Sequence, residues 1–173
     1  MPVTINGNGT ITGISAGGLP DGCITADDLA SGVGGKILQV VSATSTTQVS
    51  SSSASHVDTG LSCSITTTSA SSKVYVAVSQ SLYVRNTSGV SASLSWDLVR
   101  GSTVISDGSS NILIYDLNAS FIINKQMASF VFLDSPASAA THTYKTTAAA
   151  SSGEWRAQDG SNPSHIVLME IEA

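Results

Sequence analysis

Charge is what this sequence of 173 residues is shortest of: Lys, Arg, Asp and Glu make up 11% of it, with 7 basic against 12 acidic residues and a net −5. Scattered cations in an acidic chain cannot neutralise a run of phosphates, so nucleic acid is excluded as a partner. Cysteine is scarce too. Cys23 and Cys63 stand far apart, with no Cys-x-x-Cys pair and no His at zinc spacing, which speaks against a structural zinc and favours free thiols over a disulfide. No run approaches the roughly 18 apolar residues of a membrane span, so no membrane insertion is expected. The opening Met1-Pro2-Val3-Thr4-Ile5-Asn6-Gly7 lacks the basic and then apolar order of a secretory signal, which implies synthesis and folding in a cytoplasm.

Chemistry is equally thin. His56, His142 and His165 are isolated in sequence, with no His-x-His, no His-Glu-x-x-His and no Gly-x-Ser-x-Gly elbow. With so many serines, some Ser near some His and Asp is expected by chance alone. The Gly7-x-Gly9-x-x-x-Gly13 spacing misses the dinucleotide fingerprint, and Asp107-Gly108-Ser109-Ser110-Asn111 lacks the carboxylate pattern of a calcium loop and reads as a turn. No catalytic residue, metal ligand or cofactor is assigned, and the chain is not expected to be an enzyme.

What remains is rich in Ser, Thr, Ala, Gly and Val, with short β-branched runs joined by small polar turns, the composition of an all-β protein. Residues 1–35 stand apart. Thr4 to Ile14 places Ile5 and Ile11 on one side of an extended chain too small to build a core, Gly17 to Gly22 is a turn cluster, and Thr25-Ala26-Asp27-Asp28-Leu29-Ala30 reads as a capped helical turn. Such a segment needs a partner surface, and Ile5, Ile11, Ile14, Leu19 and Leu29 are its candidate contacts.

From residue 36 strands dominate. Lys73 to Arg85 alternates most clearly, with Val74, Val76, Val78, Leu82 and Val84 facing the core, and Leu94, Trp96 and Leu98 repeat the pattern. The count and spacing of strands fit an antiparallel jelly-roll-like β-sandwich over residues 36–173. Two strands, Ala128 to Leu133 and Ser164 to Ala173, are apolar on both faces. A strand in water normally keeps one wet face, so a second cover is required, from a loop or from another copy of the chain. Phe130, Phe132, Ile166 and Leu168 are the candidate subunit contacts. Among the aromatics, which stack on sugars or fill pockets, most are expected in the core; Trp155 and Arg156 beside a polar loop, with Tyr83, are the candidate receptor contacts.

The opening residues, with Gly17-Gly18-Leu19-Pro20-Asp21-Gly22 and Ile24-Thr25-Ala26-Asp27-Asp28-Leu29-Ala30, resemble the N-terminus of tail-fibre and related virion proteins of tailed bacteriophages of the marine and cyanobacterial type. Lys36-Ile37-Leu38-Gln39-Val40-Val41, Leu98-Val99-Arg100-Gly101, Phe132-Leu133-Asp134-Ser135-Pro136, Thr143-Tyr144-Lys145 and Ile166-Val167-Leu168-Met169-Glu170-Ile171 resemble their C-terminal domain. The resemblance implies a homotrimer in which residues 1–35 join other virion proteins of tail, neck or capsid, and residues 36–173 are displayed. It implies a virion location after assembly in the host cytoplasm, and a host-surface glycan as a candidate ligand. The chain lacks the shaft of a long fibre, so a short fibre, a capsid or neck decoration and a carbohydrate-binding module remain alternatives.

Overall fold

The computed structural model describes residues 4–5, 11–12, 36–86, 91–114 and 122–172; for 4–5, 11–12 and 108–114 it describes the backbone alone. The chain divides into two compact units, Met1–Lys36 and Ile37–Ala173. In the first, strand β1 (Thr4–Ile5) pairs antiparallel with β2 (Ile11–Thr12), setting Ile5 opposite Ile11. Ile14, Leu19, Leu29, the turn expected at residues 25–30 and Cys23 lie outside the described residues.

The second unit runs β3 (Ile37–Ser45), β4 (Val49–Ser51), β5 (Val57–Thr66), β6 (Lys73–Arg85), β7 (Ala92–Arg100), β8 (Thr103–Ile114), β9 (Ile123–Asp134), β10 (Thr141–Ala150), β11 (Glu154–Ala157) and β12 (Ser164–Ile171). One sheet has the order β3-β12-β6-β11-β4, with β9 also paired to β6; the other has the order β5-β10-β7-β8. The length of β6 explains the six-strand layer. Residues 73–79 pair with β12 and residues 82–85 with β11, while β9 runs along the other edge from Val74 to Arg85. With the short β4 and β11 set aside, the long strands taken in chain order lie first, eighth, third, sixth in one sheet and second, seventh, fourth, fifth in the other. That is the strand order of a jelly roll, and it confirms the all-β sandwich expected from the sequence.

The alternation of β6 is what closes the sandwich. Val74, Val76, Leu82 and Val84 are fully buried and meet Leu61, Leu94, Trp96, Leu98 and Tyr144 from the facing sheet in one core. The Trp96 ring stands edge-on to Phe130, centroids 4.5 Å apart. At the middle of this core sits an amide. Gln80 Oε1 accepts from Trp96 Nε1 and Thr146 Oγ1, each at 2.8 Å, and its Nε2 donates to Thr59 Oγ1 at 2.8 Å. With its amide turned to suit its neighbours, Gln158 accepts the second Gln80 hydrogen at 3.0 Å and donates to the Thr59 and Thr47 carbonyls. Every polar position of Gln80 is therefore matched, the condition under which a buried amide is tolerated.

Two acids close the ends. Glu170 is buried, and its carboxylate accepts from Gln39 Nε2 at 2.6 Å, from the Thr68 amide at 2.6 Å and from Thr68 Oγ1 at 2.8 Å. Burial pushes its carboxyl up, but these hydrogen bonds outweigh burial and hold it at about 2. Asp134 accepts from Tyr144 Oη at 2.7 Å and from Arg100; burial first, and then this carboxylate, push the Tyr144 phenol well above its ordinary range.

One local expectation is overturned. The composition from Asp107 to Asn111 predicts a turn, yet β8 runs through these residues without a break. The register moves from Leu94↔Ile112 to Trp96↔Gly108, so a step of two residues on β7 matches a step of four on β8. Both flanks pair with the same strand, so the small residues between them are absorbed as a bulge instead of reversing the chain.

Candidate functional site

The two outer faces of the sandwich differ in kind. On the β5-β10-β7-β8 sheet the outer face is a lattice of hydroxyls: Thr66 Oγ1 lies 2.8 Å from Thr141 Oγ1, and Ser64 Oγ lies 2.8 Å from Thr143 Oγ1. Lys145 pairs with Asp58 at 2.9 Å. This side is built for water.

The same face carries a cluster that looks like chemistry. His56 Nδ1 lies 3.2 Å from Asp97 Oδ2 and 3.1 Å from Thr147 Oγ1, and His56 Nε2 lies 3.0 Å from Ser95 Oγ. Hydroxyl, imidazole and carboxylate stand in the order of a nucleophilic relay. The Ser95 hydroxyl also donates to the Ala149 carbonyl oxygen at 3.5 Å. Burial raises the Asp97 carboxyl, His56 opposes that, and Asp107 directly across the ladder raises it further. As arranged, the cluster ties the segment before β5 onto β7 and β10. Among the described residues, no group of three His, Cys, Asp or Glu is placed to hold a metal ion.

The outer β3-β12-β6-β9 face is exposed and, over two rows, apolar, with the polar row Thr44, His165, Ser79, Ser129 beside them. Because register fixes which residues stand side by side, one row reads Val40, Met169, Tyr75, Leu133 and the next Ser42, Val167, Ala77, Val131. Val131 is 62% exposed, Val40 55%, Met127 54% and Leu133 50%. Exposed apolar side chains gathered on one face of a sheet mark a contact surface, unlike the scattered ones every protein carries. Ala77, Ser79, Ser129, Val131, His165 and Val167 line a shallow depression of about 500 Å³ in this face. Along the sheet the character changes to a chain of ion pairs: Lys125 to Asp159 at 2.9 Å, Arg156 to Asp159 at 3.1 Å and to Glu154 at 3.0 Å, and Arg85 to Glu154 at 2.6 Å. Hydrogen bonds from Arg156 hold the Glu154 carboxyl down, and those from Lys125 and then Arg156 hold Asp159 down.

Several expected positions move. Ile166 and Leu168, read as subunit contacts, are fully buried in the chain's own core, opposite Val78 and Val76. Phe130 and Phe132 pack against that core as well. The apolar outward residues of these strands are their neighbours, Val167 and Met169 on β12 and Val131 and Leu133 on β9. Trp155, read as a surface aromatic, is fully buried, because β11 pairs with β6 in a register that turns Trp155 to the inside with Leu82 and Val84. Tyr83 is nearly buried, with the Arg156 guanidinium 4.9 Å above its ring, and Arg156, itself half-buried and paired to Glu154 and Asp159, is the most exposed of the three receptor candidates. Cys63 is a free thiol, half-buried, with its pKa raised by that burial.

Strand order thus defines the unit 37–173 as an antiparallel jelly-roll sandwich, and this class rests on topology alone. No protein-family model matches the sequence, and no curated protein matches it. Among solved structures, the chain is similar to the T13 particle of infectious bursal disease virus, with a TM-score of 0.42 and 13% identity over 78% of this chain and 36% of that one. It is similar also to the VP2 subviral particle of that virus, with a TM-score of 0.36 and 15% identity over 78% of this chain and 32% of that one. The chain thus spans little more than a third of the length of the first.

Proposed function

We propose that the protein is a non-enzymatic structural component of a virion: a short tail-fibre-like appendage of a tailed bacteriophage, homotrimeric, joined to the particle by residues 1–35 and displaying the sandwich. The observation that carries this reading is the apolar part of the outer face, since a β-sheet with Val40, Met127, Val131 and Leu133 half or more exposed is a subunit awaiting a neighbour. The sequence resemblance to tail-fibre proteins supports the particular kind of assembly; the jelly roll is compatible with it and does not single it out. In this reading the protein is assembled in the host cytoplasm and resides in the virion.

Attachment to a host glycan draws less support, because the aromatic platform expected of Trp155 is inside the core and Tyr83 is capped by Arg156. A role as capsid or neck decoration uses the same face and differs only in position. Negative-stain imaging of the phage particles with a Fab raised against the folded protein separates these readings. Label at the tail is the expected result, label over the head shell or neck replaces the appendage with a decoration, and purified particles without label overturn the virion assignment.

A further inference from the structure

We draw no further inference here: the strongest candidate, the pair of exposed apolar rows on the outer β3-β12-β6-β9 face, carries nothing further, since nothing in the structure shows what covers them.

Discussion

Replacing Gln80 by Leu tests whether the polar centre of the core is the fully matched network described above. The substitution nearly conserves volume, so its cost is electrostatic. Trp96 Nε1, 1% exposed as a residue, loses its acceptor, an unmade buried donor worth about 1–3 kcal/mol, and Thr146, Thr59 and Gln158 each lose one hydrogen bond worth about 1 kcal/mol. Exchanging an amide for an apolar side chain returns about 1–2 kcal/mol. The net expectation is a loss of about 3 kcal/mol, which at a urea dependence of about 2 kcal/mol per molar moves the unfolding midpoint down by roughly 1.5 M. Urea unfolding followed by far-ultraviolet circular dichroism reads this. The decisive measurement is the cycle with Trp96→Phe, which removes the stranded donor: in that background Gln80→Leu is expected to cost at least ~1 kcal/mol less. If Gln80→Leu is neutral, or its cost is the same in both backgrounds, the indole and the amide are not coupled and the account of the core is wrong.

Two further expectations concern the backbone and the buried acid. At Gly153, with φ of +77°, an added Cβ meets the Arg85 carbonyl oxygen at 1.9 Å, whereas at Gly101, with φ of +59°, it meets nothing within 4 Å. Gly153→Ala is therefore expected to cost more than ~3 kcal/mol and Gly101→Ala only the left-handed backbone term of about 1–2 kcal/mol, read by thermal melting; equal losses refute the close approach. Glu170 ionises at about 2 in the fold against an ordinary 4.5, so its contribution to stability is fully present above about pH 4.5 and drains away as the pH falls towards 2. Glu170→Gln is expected to lower stability at neutral pH and to flatten the loss between pH 4.5 and 2; an unchanged acid limb in urea titrations at several pH values counts against the depressed carboxyl.

Much of the architecture was legible along the chain, for reasons that are local. Period-two alternation in Lys73 to Arg85, and again at Leu94, Trp96 and Leu98, announces strands whose inner face is known without any partner, because valine and leucine on one side stand against serine, tyrosine and charge on the other. Turn residues between such runs give the strand count, and the all-β class follows. The Asp107 to Asn111 stretch misled because its composition favours a reversal, while its pairing, to one strand on both flanks, is a long-range fact.

The same limit decides the candidate site. On β12 and β9 both faces are apolar, so alternation states that a second cover is needed and is silent on which face takes it. Register with β6 settles the matter: Ile166 and Leu168 fall beside Val78 and Val76 and enter the core, and Val167 and Met169 are left outside with Val131 and Leu133. Trp155 goes inside by the same rule, through its pairing with Val84. Sequence by itself determined that this protein is a β-sandwich with more apolar strand surface than one core can hide. Only tertiary structure decided where the surplus lies, since a pleated strand distinguishes its two sides from each other, and inside from outside is defined only by the strands laid next to it.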